Sequence, residues 1–168
     1  MHKKISDFWY KIKPYILPYA VAIAIPTTVG IIAAALTRDS MDIYDTLKVP
    51  PFAPPGILFP IVWTLLYVFM GVSSALVFID RELAPYETRK GFLLYGASLI
   101  LNFSWSIIFF KLQASFFALL VLGVLLYTII KTIIEYYKVK PLAAFLQIPY
   151  ALWVGFAGYL NTAIWLLN

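Results

Sequence analysis

Residues 49–79 read VPPFAPPGILFPIVWTLLYVFMGVSSALVFI. The stretch has two halves with opposite physics. Pro50, Pro51, Pro54 and Pro55 crowd its start. Each fixes φ, removes a backbone donor and biases the residue before it toward extended geometry, so this half reads as a stiff, polyproline-like loop. From Gly56 to Ile79 there is no charged residue, and about 20 apolar residues suffice for a helix to cross the hydrocarbon core. A stiffened loop feeding a membrane span sets the fold class: an all-α integral membrane protein.

The rest of the chain agrees. Of its 168 residues, 62% are hydrophobic and 12% charged, with a mean hydropathy of +0.86. A soluble domain of this size could not hide so much apolar surface. Runs long enough to span occur at about 14–37, 56–79, 89–110, 115–137 and 142–167. The expectation is a basic segment, 1–13, followed by one transmembrane domain, 14–168, a bundle of five helices with a proline-rich loop at 38–55. No A-x-A-like cleavage site follows the first apolar run, so it reads as a mature span rather than a signal peptide. Pro18 and Pro26 within that span favour a kink. The odd number of spans and the lack of an internal repeat count against a duplicated transporter.

Charge orients the bundle. Lys3, Lys4, Lys11, Lys13, Arg81, Arg89, Lys90, Lys131, Lys138 and Lys140 fall on one side, against Arg38, Lys48 and Lys111 on the other. The excess of Lys and Arg places the N-terminus in the cytoplasm and the proline loop and C-terminus outside. A prokaryotic cell membrane is the expected location. The net charge of +5 then reflects loops meeting anionic headgroups rather than a nucleic-acid partner.

The chemistry available is narrow. There is no cysteine, which excludes disulfides, thiolate metal sites and cysteine nucleophiles. His2 is the only histidine and lies in the basic tail; no Asp or Glu falls mid-span. Axial haem ligation, proton relays and ion-coupled transport are thereby disfavoured. Glu135 and Lys131, late in the fourth span, can snorkel toward the interface or pair at i, i+4. No phosphate loop, metal-spaced cluster or nucleophile triad is present, so no metal site and no firm catalytic residue is assigned. Any ligand must be held by stacking, shape and a few hydrogen bonds.

Small residues mark helix contact faces in lipid, and Gly71, Ser74, Ala75, Gly155, Ala157 and Gly158 fit that role. Deeper polar and aromatic residues carry more information. Asn102, Trp105, Ser106 and Phe109 share one face of the third span, Trp63 and Tyr67 one face of the second. Trp153, Phe156, Ala157 and Leu160 form a stripe in the fifth, with Gln147 and Tyr150 one to two turns earlier. Trp9 and Trp165 suit the headgroup belt, whereas Trp105 and Trp153 lie deeper. Two readings stay open on the residues alone. One is ordinary helix packing, with Asn102 bonding a neighbouring carbonyl; the other is a cavity lined with rings and a few polar groups.

Three longer stretches resemble a known family. IYDTLKVPPFAPPGILFPIVWTLLYVFMG (43–71), LILNFSWSIIFF (99–110) and PLAAFLQIPYALWVGFAGYLNTAIW (141–165) are similar, in order and spacing, to signatures of the TspO/translocator protein family, the tryptophan-rich sensory proteins or peripheral-type benzodiazepine receptors. The resemblance implies a five-helix membrane protein, commonly a homodimer, whose pocket opens under the first loop. It implies binding of porphyrins such as protoporphyrin IX and of isoquinoline carboxamide or benzodiazepine-type ligands, with no covalent cofactor. By motif position the ligand-binding residues would be Tyr44, Pro54, Trp63, Tyr67, Asn102, Trp105, Ser106, Phe109, Trp153 and Ala157. The expected function is a porphyrin receptor or sensor. Transport of porphyrins or other amphiphiles ranks second. Light-dependent porphyrin degradation, with Trp63 and Trp153 as candidate electron donors, ranks third. The proline loop is expected to act as a pre-ordered lid.

Three positions depart from the family pattern. Phe52 stands where tryptophan is usual, which keeps a ring and loses an N–H donor. Val121 replaces a frequent aspartate. TAIWLLN (162–168) lacks the tyrosine and basic residue of the cholesterol motif, and VLLYTIIK (124–131) fits that loose pattern only by chance. Specific cholesterol binding is therefore not expected.

Overall fold

The computed structural model describes residues 2–40 and 43–168, with side chains from Tyr15 onward except those of Ile43 and Asp45. Helix α1 spans His2–Thr37, followed by a 3-10 turn at Arg38–Ser40 and a short helix α2 at Ile43–Thr46. Then come α3 (Leu58–Ile79), α4 (Pro85–Ser106) running on as a π-helical turn (Ile107–Lys111), α5 (Ser115–Val139) and α6 (Pro141–Leu167). Among the described residues there is no strand. Every helix except α2 is long and apolar enough to cross a membrane.

The helix starts follow from local chemistry. Pro85 and Pro141 occupy the first helical position of α4 and α6, where the missing N–H costs nothing and the fixed φ suits the helix. The first span is helical through both Pro18 and Pro26. Pro26 leaves the Ala22 carbonyl without its helical donor, and one residue on Thr27 Oγ1 donates to the Ile23 carbonyl at 2.8 Å.

The five long helices close into a ring. α1 packs on α3, α3 on α6, α6 on α5 and α5 on α4, and a slighter contact of α4 with α1 completes it. Glycines permit close approaches between the helices, two of them in the bundle core. A Cβ on Gly71 would lie 2.4 Å from the Ile23 Cα, and one on Gly91 would lie 2.8 Å from the Tyr136 ring. Met70, Val77, Leu125, Ile129, Tyr136 and Tyr150 fill the interior, whereas Leu93, Ile100, Leu120, Val124 and Leu152 point outward and are exposed. An apolar core inside an apolar exterior is what lipid, not water, selects. Between α3 and α6, Ser73 Oγ donates to the Ala143 carbonyl at 2.7 Å and accepts from Gln147 Nε2 at 3.1 Å.

Ion pairs clasp the end opposite the proline loop. Lys140 Nζ lies 2.8 Å from Asp80, and the hydrogen bond it donates to that carboxylate holds the ammonium above its ordinary pKa. Glu135 is buried and meets Lys90 at 2.6 Å and Lys138 at 2.8 Å. It does not take Lys131 as its partner, whose ammonium sits 5.5 Å from the Tyr127 ring centre. The carboxylate takes Lys138 from its own helix at i, i+3 and Lys90 from α4, so its partners come one from local spacing and one from tertiary packing.

The proline loop is more folded than a uniform polyproline segment. The Ala53 N–H donates to the Pro50 carbonyl at 3.2 Å and Leu58 N–H to that of Pro55 at 2.9 Å. These are turns, which proline favours by presetting φ. Phe52 sits in the first at φ 68°, a left-handed geometry unusual for a bulky residue, and its ring is 90% exposed.

Replacing Gly71 by alanine should force α1 and α3 apart, because the added methyl meets backbone rather than a movable side chain. We expect a loss of about 1–3 kcal/mol, as for overpacked cores, read as a lowered unfolding midpoint in detergent. An unchanged midpoint would show that α1 shifts freely on α3.

Candidate functional site

The loop-end half of the ring holds a cavity of about 200 Å³ between α1, α3 and the end of α4. On α3, Phe59, Trp63 and Tyr67 recur every fourth residue and so share one face. Trp63 stacks on Tyr67, ring centres 5.5 Å apart, and meets the buried Tyr150 edge-on at 6.1 Å. From α1 come Thr27, Gly30, Ala34 and Thr37, a small-residue stripe that lets the helix approach. A Cβ on Gly30 would lie 2.1 Å from Tyr67 Cε2, so only glycine leaves room for that phenol in its present place. Trp105, Ser106 and Phe110 complete the wall.

Asn102 is buried one turn behind this wall. Its Nδ2 donates to the Tyr67 hydroxyl at 3.5 Å, and Ser106 Oγ donates to the Asn102 carbonyl at 3.4 Å. Beside the cavity is a neck of about 20 Å³ walled by Tyr44, Phe59, Trp105, Phe109, Phe110, Ala157, Leu160, Asn161 and Ile164. The π turn shapes it. Leu112 N–H donates to the Ile107 carbonyl, five residues back, at 3.0 Å. Widening the helix there lets Trp105 stack on Phe109 at 5.4 Å and also meet Phe110 edge-on at 6.0 Å. In an α-helix, residues five apart diverge by roughly 140° around the axis.

A hydrogen-bonded bridge crosses the neck. Trp105 Nε1 donates to Asn161 Oδ1 at 3.2 Å, and Asn161 Nδ2 donates to the Ser115 carbonyl at 2.7 Å. The proline loop roofs this region and is tied down at several points. Tyr44 donates to the Pro54 carbonyl at 3.4 Å and Tyr159 to that of Pro51 at 3.0 Å. The Asn168 side chain accepts from the Lys48 N–H at 3.0 Å and donates to the Lys48 carbonyl at 3.1 Å, as a neighbouring strand would.

Among the expected ligand residues, Trp63, Tyr67, Trp105 and Ser106 wall the cavity, and Tyr44, Trp105, Phe109 and Ala157 the neck. Asn102 stands behind Tyr67. Pro54 and Trp153 are in neither wall: Pro54 offers its carbonyl to Tyr44, and Trp153 lies behind Phe59, ring centres 5.9 Å apart. Gln147 serves the α3–α6 contact. Sequence reading missed Phe59, Phe110, Asn161 and the α1 stripe. Phe59 was detectable as the residue four before Trp63, and the stripe as small residues at helical spacing.

Comparison with known proteins gives a consistent result. Residues 22–166 match the TspO/MBR family. The chain is 35% identical over 154 residues to tryptophan-rich protein TspO of Chlorobaculum tepidum, covering 91% of this chain and 97% of that one. It is 34% identical over 154 residues to tryptophan-rich protein TspO of Archaeoglobus fulgidus, covering 91% and 98%. Against translocator protein of Bos taurus it is 32% identical over 142 residues, 84% of each chain.

Asn161→Ala removes the acceptor of a buried indole N–H and the donor to a backbone carbonyl together. We expect a loss of about 2 kcal/mol, the usual penalty for stranding buried polar groups, together with altered Trp105 fluorescence. Parental stability and emission would show that the bridge does not hold the neck.

Proposed function

The chain belongs to the TspO/MBR family, and from that premise we propose that it is a membrane receptor for flat, hydrophobic aromatic ligands of the porphyrin type. Isoquinoline carboxamide and benzodiazepine-type molecules fall in the same class. The observation that carries the reading is the stacked Trp63–Tyr67 pair on the cavity wall, backed by Asn102 on the Tyr67 hydroxyl. Offset aromatic faces attract a macrocycle face, and the amide fixes the phenol that meets it. Walls of phenol, indole and hydroxyl groups bind by shape and hydrogen bonding, with no covalent cofactor.

The present cavity, at about 200 Å³, is smaller than the ~300–1,000 Å³ common for ligand sites. Binding a macrocycle therefore requires the walls to part. The α1–α4 contact is the weakest in the ring, and the proline loop is held by a few hydrogen bonds, so these are the parts that yield. A basic-side-in orientation places the loop outside the cell membrane, and a homodimer is the proposed assembly. Transport of the same ligand is the second reading, favoured by the succession of cavities from the loop end toward the bundle middle. Light-driven breakdown would use Trp63 as donor, since Phe59 shields Trp153.

Titration of protoporphyrin IX into the purified chain in the dark tests the reading. We expect saturable binding, weakened about tenfold by Trp63→Ala, the loss of roughly one good ring contact. Asn102→Ala should weaken it less, and Trp153→Phe should leave it nearly unchanged. Absence of saturable binding by the parent chain would overturn the porphyrin reading.

A further inference from the structure

A second, larger hollow opens at the loop end between α5 and α6. It has about 450 Å³, within the ~300–1,000 Å³ range of small-molecule sites. We infer that this groove is an outer binding site for the same flat aromatic ligand, from which it passes through the neck into the inner cavity. The inference rests on the function proposed above and adds to it where the ligand first lodges and what it must displace.

The chemistry of the groove matches the inner cavity. Phe116 faces Trp165 with ring centres 5.2 Å apart, and Phe117 lies 5.7 Å from Phe116. Gln113, Ser115 and Asn168 add neutral amide and hydroxyl groups to the wall. Aromatic surface beside neutral hydrogen-bonding groups suits a ring system with polar edges, and its place at the span ends lets one edge stay wet.

Continuity supplies the direction of travel. The groove shares Phe109 and Ile164 with the neck, and the neck shares Phe59, Trp105 and Phe110 with the inner cavity. At about 20 Å³ the neck holds one water at most, so Phe109, stacked on Trp105, is the gate. Leu47 roofs the groove and Tyr44 the neck; they are three residues apart on one segment, and the Asn168 clip on Lys48 holds its end. Lifting that segment therefore uncovers both spaces together. The competing lateral route fits less well. The apolar groove between α1, α3 and α4 at the opposite end, about 490 Å³, shares no wall residue with the inner cavity.

The test is stopped-flow mixing of protoporphyrin IX with the full chain in lipid nanodiscs, followed by the porphyrin's own absorbance. Ala114→Phe fills the groove from a position outside the neck and cavity walls. Phe116→Ala with Trp165→Ala strips its aromatic rim at side chains 43% and 44% exposed, so this pair preserves the test should Ala114→Phe fail to fold. We expect both to slow association about tenfold, the loss of roughly one ring contact, and dissociation by a similar factor, leaving Kd little changed. Phe109→Ala should speed both. Parental rates in both groove variants, with parental Kd, would overturn the inference and leave the groove to lipid. Failure of the parent chain to bind at all would overturn the porphyrin reading and this inference with it.

Discussion

How near α1 comes to α3 sets the geometry of the whole loop-end half. Gly30 on α1 receives the Tyr67 ring, and Gly71 on α3 receives the Ile23 backbone, so each helix offers the other a notch. Without a hydrophobic drive between helices in lipid, such close fits and a few hydrogen bonds are what hold spans together. With α1 fixed against α3, its contact with α4 is left slight. The cavity lies along that weaker contact, so the place where a ligand can be received is a consequence of where the packing is tight.

A second constraint acts on the amides and the serine buried between the spans, whereas the buried hydroxyls of Tyr95, Tyr136 and Tyr150 have no hydrogen-bond partner among the described residues. In hydrocarbon an unpaired donor or acceptor costs several kcal/mol, of order what one good ligand contact returns. Asn102, Asn161, Gln147 and Ser73 are accordingly bonded across helices, and each bond joins elements distant in sequence. The same bonds that satisfy the amides hold Tyr67 and Trp105 at the cavity. Site architecture and membrane solvation are thus one problem solved by one set of side chains.

Much of this is legible in the chain because lipid imposes a length and a polarity that few other environments do. The five spans are read from apolar runs, yet α4 begins at Pro85 rather than residue 89, since Tyr86 to Thr88 are helical while too polar to read as span. Face-sharing by Trp63 with Tyr67 and by Trp105 with Ser106 follows from helical periodicity, and these side chains meet in one cavity. Periodicity does not fix how far a helix is rotated. Trp153 shares a stripe with Ala157, yet Ala157 walls the neck while Trp153 falls behind Phe59. The α1 stripe escaped notice because its contribution is absence of bulk. Glu135 choosing Lys90 over Lys131 is likewise set by a partner helix.

The π turn at Ile107–Lys111 is the least legible feature and the one with most leverage. One extra residue in the turn brings Phe109 and Phe110 to the neck together, where an α-helix would carry the second aside. π turns recur where a helix must present side chains out of its ordinary register. Here the widened turn also ends α4 at the sharp bend into α5, where Gln113 adopts φ 53°, and the Asn161 bond to the Ser115 carbonyl ties that bend to α6. A change in the turn would therefore move the aromatic gate, the α4–α5 corner and the Trp105 bridge as a unit. The wide turn concentrates in five residues the coupling between the inner cavity and the outer surface of the bundle.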